Sequence, residues 1–152
     1  MSYVAKVLQA GESVIATGHL HWIGYWRSFI CLILAIATLG IRAPDAGLRF
    51  VVELVAGGLV IFGLAFGLHT AWLRWGTEIG VTNRRVIYKR GILSRRTAEM
   101  NMDKIETVLI DQSLLGRLLG FGAISIRGSG ASIETLPHIA QPIALRSAII
   151  AR

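Results

Sequence analysis

Two apolar runs, residues 22–41 and 50–73, follow one another with only a short loop between them, and they restrict what the chain can fold into. A helix of twenty residues is roughly 30 Å long, the thickness of a bilayer's hydrocarbon core. Apolar residues make up 53% of the chain and its mean hydropathy is +0.58, too greasy for an ordinary soluble domain of this length. The expectation is a transmembrane helical hairpin over 22–73. Arg27 interrupts the first run, but near a helix end an Arg can snorkel to the interface, where Tyr25 and Trp26 are typical neighbours. A cleaved signal peptide is the rival reading, since Ala35-Ile36-Ala37 resembles an A-x-A processing site. Against it, the polar stretch ahead of the apolar core is too long and poorly basic.

In the second run Gly63 and Gly67 fit a GxxxG pattern, with Gly57 and Gly58 further back. Such a face serves either close packing on the first helix or homodimerisation. The loop at 42–49 carries the turn formers Pro44, Asp45 and Gly47. Trp22, Trp26, Trp72 and Trp75 all fall at the other end of the hairpin, with Arg27 and Arg74 beside them, and read as interfacial anchors. Residues 74–152 hold 12 Lys+Arg against 6 Asp+Glu, a net of +6, out of +7 for the whole chain. The positive-inside rule then puts both termini in the cytosol and the loop outside. Single Cys31, inside an apolar run, excludes an intramolecular disulfide and packs as a small hydrophobe.

After the hairpin the pattern changes to β. Residues 77–82 and 85–90 predict two strands about an Asn83-Arg84 turn, and 95–102 a third in which Met100 and Met102 face one way. Residues 105–111 alternate weakly, with Ile105, Thr107 and Leu109 opposite Glu106, Val108 and Ile110. Ser113 is a good N-cap for a short helix whose Leu114, Leu115, Leu118 and Leu119 form an apolar face and which Gly120 closes. Residues 123–127 and 131–136 predict a hairpin about Gly128-Ser129-Gly130, and 142–152 a terminal helix with Pro142 first and Leu145, Ala148 and Ile149 inward. Residues 1–21 carry a short helix and a strand that dock on the later sheet. The domains expected are a juxtamembrane segment over 1–21, spans of about 22–41 and 50–73, and a β domain over 76–152.

The stretches Thr82-Asn83-Arg84-Arg85-Val86-Ile87-Tyr88-Lys89-Arg90-Gly91, Met102-Asp103-Lys104-Ile105 and Ser113-Leu114-Leu115-Gly116-Arg117-Leu118-Leu119-Gly120-Phe121-Gly122 occur in that order. With Gly11-Glu12, His21-Trp22 and two spans upstream, the chain resembles the bacterial pleckstrin-homology (PH)-like family of small membrane proteins of the YdbS type, most strongly over 78–127. The resemblance implies an α+β membrane protein in which the hairpin precedes a PH-like antiparallel β barrel, curved and partly open, capped by the C-terminal helix. It implies the bacterial inner membrane and no particular activity.

The residues richest in binding chemistry are Arg84, Arg85, Lys89, Arg90, Arg95 and Arg96, six cations in thirteen residues with no acid between Glu78 and Glu99. Beside an anionic leaflet each cation gains about 1 kcal/mol. The plainer reading is that they set topology and protect strand edges. Nucleic acid is not expected, because the cluster holds one aromatic, Tyr88, and matches no nucleic-acid fold signature. His19-x-His21 lacks Cys or carboxylate partners at ligand spacing, so neither metal nor cofactor is expected. Glu53 and His69 lie near the ends of the second span, where water reaches them. Asp103, Glu106 and Asp111 form no acid–base pair, so the chain reads as non-enzymatic. Three functions remain open: a scaffold for a protein partner or a second copy, using a sheet edge or the groove by the C-terminal helix; a sensor of anionic lipid; or an accessory subunit of a membrane complex acting through Glu53 or His69.

Overall fold

A computed structural model of the chain describes residues 3–129 and 131–150, without the side chains of 131–134. The chain divides into two compact units: residues 22–72 form one, and residues before and after them form the other.

The first unit is the apolar hairpin. A 3₁₀ turn over Trp22–Tyr25 leads into α2, Trp26–Leu39, and α3 runs over Ala46–Gly76. α3 starts four residues ahead of the expected span because Asp45 caps it, its carboxylate accepting from the Leu48 N–H at 2.8 Å. Both helices are long and apolar enough to cross a membrane, and little of either is covered by protein. Where they meet, the contact is close. The Ser28 hydroxyl donates to the Gly63 carbonyl at 2.6 Å, and the Thr70 hydroxyl to Gly24 at 3.3 Å. A side chain at Gly63 would press on Leu32 and Cys31, and one at Gly67 on Ser28. The GxxxG face therefore packs on the first helix.

In the second unit, α1 (Tyr3–Val7) and β1 (Val14–Gly18) precede the hairpin. After it come β2 (Glu78–Thr82), β3 (Arg85–Arg90), β4 (Arg96–Asn101), β5 (Ile105–Asp111), α4 (Leu114–Leu119), β6 (Phe121–Gly128), β7 (Ala131–Ala140) and α5 (Pro142–Ile150). The strands make two antiparallel sheets, β1-β2-β3-β4 and β5-β6-β7. The expected barrel is not closed. Between β4 and β5 the chain turns through 3₁₀ residues Met102–Lys104, and an isolated bridge, Leu20 to Ile139, links the sheets at the other side. Ile79, Val81, Val86, Tyr88, Met100, Met102, Ile124, Ile126, Leu136 and Ile139 fill the space between, with Leu145 and Ile149 of α5 sealing it. The terminal helix thus faces inward through the expected residues, although residues 151 and 152 lie outside those described, as does Gly130 of the predicted turn.

Two departures from the sequence pattern share a cause. In β5 a register shift between Ile105 and Thr107 moves Ile105 onto the same side as Val108 and Ile110, and all three pack on the core. A bulge adds one residue and so exchanges faces beyond it. β7 runs through Pro137 instead of ending at Leu136. Between the pairs Ile124–Leu136 and Gly122–Ile139 the register slips, so Pro137 sits where no ladder bond is required of it and His138 takes φ +57°.

The outer face of the first sheet is covered by α1. Val4 is buried over Gly80, where a Cβ would come within 2.5 Å of its Cγ1. Gly80→Ala should therefore lift α1 off the sheet, costing about 1–3 kcal/mol as overpacking. Thermal unfolding in detergent should show the loss, and adding Val4→Ala should recover most of it. A Gly80→Ala single variant as stable as the parent would mean that α1 does not rest there.

Candidate functional site

The second unit has two ends. One carries His21 and Leu73, the residues covalently joined to the hairpin, and is termed the junction end. In the antiparallel ladder Gly18 pairs Ile79, Glu78 pairs Lys89 and Arg90 pairs Arg96, so all of these lie there. A side chain on Gly76 would touch Gly91 and Ile92, which places the β3–β4 turn there too. The second sheet brings the start of β6 to the same end: Phe121 stacks on His21 at 5.2 Å and lies 5.9 Å from His138. The opposite, distal end holds the β2–β3 turn, the end of β4 and the start of β5.

This ladder separates the six cations that the sequence groups. Lys89, Arg90, Arg95 and Arg96 stand at the junction end, the last three exposed. Lys89 lies 5.2 Å over the Tyr3 ring, and the Tyr3 backbone N–H donates to the Glu78 carboxylate at 2.8 Å. Arg84, also exposed, is in the turn at the distal end, beside Gln9, Asn101 and Asp103.

Arg85 leaves the cluster altogether. Its side chain is 12% exposed and that of Glu12 is fully covered. The guanidinium grips Glu12 with two parallel bonds of 3.0 Å, donates to Glu99 at 2.8 Å and to the Val7 carbonyl at 2.9 Å. Such a fork suits a planar carboxylate. Thr82, fully buried, donates to Glu12 at 2.7 Å and accepts from the Arg85 N–H at 3.0 Å. These bonds occupy the cation in holding residues 7–12 to the sheet, so its grouping with the surface cations is revised. Glu12 and Thr82 both fall in the stretches that carry the family resemblance, but nothing in the sequence marked them as partners of Arg85.

The Gln9 N–H holds the Glu12 carboxyl below its usual range, opposed by burial and assisted by Thr82 and Arg85. His21 is also lowered, first by burial, then by the charge of Arg74 and by His138, with a bond to the Leu119 backbone acting the other way. Among the described residues no three potential metal ligands gather. His21 instead packs on Phe121. In the hairpin Glu53 pairs with Arg49 at 3.1 Å, both exposed, and His69 is exposed. Trp22, Trp26 and Trp72 are about half exposed, Arg27 lies 5.5 Å over the Trp26 ring, and Trp75 is largely bare.

A second feature lies beside α5. Among the described residues β5 is an edge strand, with β6 as its one partner. Next to it a cleft of about 340 Å³ is lined by Met102, Ile105, Val108, Ile149 and Ile150, with Asp103 and Glu106 at its rim. A family model for the bacterial PH domain matches residues 22–151, from the start of the hairpin through β2 to α5. The chain belongs to the bacterial PH domain family. No curated protein and no solved structure matches it. The match begins after β1, so in this bacterial PH domain Arg85 lies within the matched region and its partner Glu12 ahead of it.

Removing one partner of a buried pair leaves the other charge uncompensated. Arg85→Met should cost about 3–5 kcal/mol, Arg85→Lys should fail to restore it, and exposed Arg84→Ala should stay within about 0.5 kcal/mol. Denaturant midpoints in detergent would rank them, and equal losses at 84 and 85 would contradict the clasp. Acid should weaken the fold in two steps. Unfolded His21 takes up a proton near 6.5 while the folded imidazole resists, so stability falls as pH drops below about 6.5. Glu12 contributes stability above about 4.5 that is lost as pH falls through its lower folded value. Melting temperature against pH should show both slopes, with Glu12→Gln flattening the second only.

Proposed function

We propose that this protein spans the bacterial inner membrane twice and holds its PH-like unit in the cytosol as a non-catalytic binding module for an extended segment of a protein partner. The observation that carries this reading is the edge of β5 beside a cleft lined by apolar and acidic side chains. An extended peptide adding to a sheet edge obtains main-chain hydrogen bonds from the edge and side-chain specificity from pockets beside it. Ile105, Val108, Ile149 and Ile150 receive apolar side chains, while Asp103 and Glu106 favour basic flanks.

The membrane placement is supported by two long helices whose apolar surface is mostly bare. β1 pairs with β2 across the hairpin, so residues before and after it share one side, which suits an even number of crossings. The excess of cations after the hairpin suits the cytosolic side. One observation favours lipid contact as a second activity: Arg90, Arg95 and Arg96 stand together at the junction end. Cations held there meet an anionic leaflet within the screening length of about 8 Å.

A photocrosslinking residue at Glu106 or Val108 should capture a defined partner segment in cells, and Ile150→Arg, at the exposed wall of the cleft, should abolish capture while Arg95→Ala with Arg96→Ala leaves it intact. Equal capture from Thr97, exposed at the other end of β4, would argue against the cleft. The double Arg variant should instead lose anionic lipid co-purified with the protein.

A further inference from the structure

α4 is inverted for a helix in water. Leu114 and Leu118 are 84% and 81% exposed, Leu115 and Leu119 are exposed as well, and the residue the helix buries is Gly116. A helix on a soluble surface turns its apolar stripe inward. Here it cannot, because a Cβ at Gly116 would lie 2.6 Å from the Phe121 carbonyl oxygen, so only bare backbone fits against β6. Nor is α4 loosely held. The Ser113 hydroxyl accepts from the Gly116 N–H at 3.1 Å, Gly120 closes the helix at φ +75°, and the Gln112 amide donates to the Phe121 carbonyl at 2.9 Å. A fixed row of bare leucines marks a surface that something covers.

Its position identifies what covers it. α4 joins the end of β5 to the start of β6 at the junction end, where Leu119 is bonded to His21 and His21 runs directly into the apolar hairpin. Trp75, 80% exposed, and Leu93, 86% exposed in the β3–β4 turn, stand at the same end. Arg117 on α4 and Arg90, Arg95 and Arg96 are exposed at that end as well. Bare apolar groups set among cations are what an interfacial segment presents to a bilayer.

We infer that α4 is a membrane-inserting wedge: Leu114, Leu115 and Leu118 enter the headgroup–acyl boundary of the cytosolic leaflet, and Arg117 stays at the phosphates. Leu93 and Trp75 make a second point of contact, so the unit is pinned at two places. The occupant is lipid because two covalent joints deliver this end of the unit to the bilayer, which gives a leaflet an effective concentration that no diffusing partner matches. The inference rests on the reading that the hairpin crosses the membrane.

The test uses the full chain with Cys31→Ala, reconstituted in vesicles of phosphatidylethanolamine with a minority of phosphatidylglycerol. Single cysteines at Leu115, Leu118, Leu93, distal Asn101 and hairpin Ile61 carry an environment-sensitive fluorophore. Labels at 115, 118 and 93 should be quenched by nitroxides placed shallow in the acyl chain and lose most of the iodide quenching seen at 101. Quenching at 61 by deep nitroxides, together with iodide-accessible 115 and 118, overturns the wedge and leaves the anchor standing. Absence of lipid quenching at 61 overturns the anchor itself. Labels at 115 and 118 shielded from iodide yet untouched by nitroxides would mean that a second copy covers α4, which also overturns the proposal.

Discussion

The pairing of β1 with β2 is the constraint on which the structure depends. Between these neighbouring strands the chain makes its entire excursion through the apolar hairpin and returns. Closing such a loop costs entropy that grows only slowly with its length, and the hairpin, stiffened by its own helices, lowers the cost further. The return also dictates geometry. Gly18 opposite Ile79 sets Leu73 and His21 at one end of the sheet, and every element at that end inherits proximity to the hairpin's joints.

The N-terminal segment is held from both sides of that pairing. Val4 fills the space over Gly80 on the outer face, and Glu12 receives the Arg85 fork at the distal end. Apolar contact and ion pair do different things here. Burial of Val4 is tolerant of small shifts, whereas the bidentate pair fixes residues 7–12 in one register, with Thr82 and Gln9 satisfying the remaining carboxylate positions. Buried and fully partnered, the pair holds its carboxylate in place, and breaking it leaves a covered charge uncompensated.

Much of the fold is legible in the sequence because it rests on local rules. The capped α4, the Asn83-Arg84 turn, the strands on either side and the inward face of α5 follow from caps, turn formers and periodicity. What escaped is what depends on a shift of register. The bulge after Ile105 exchanges the faces of β5, and Pro137 sits within β7 because the ladder slips around it. A bulge leaves almost no trace in composition, so period-two reading fails at each one. The opening of the expected partly open barrel has a location that sequence does not give: closure needs a continuous ladder, and the turn at Met102–Lys104 interrupts it.

The candidate site shows the same limit more sharply. Six cations within thirteen residues look like one patch only if sequence distance stands for spatial distance. A strand advances about 3.3 Å per residue, so the ends of β3 are roughly 17 Å apart, more than a screening length. Arg84 and Arg90 therefore act on different surroundings, and Arg85, on the covered face between, is bound by Glu12 and Glu99. The reverse holds for residues that sequence keeps apart. Leu93 with Trp75, and His21 with Phe121, are brought to one end by the ladder, far though they are along the chain. A patch on a β unit is defined by which strand ends coincide, and here the coincidence is fixed by where the chain enters and leaves its hairpin.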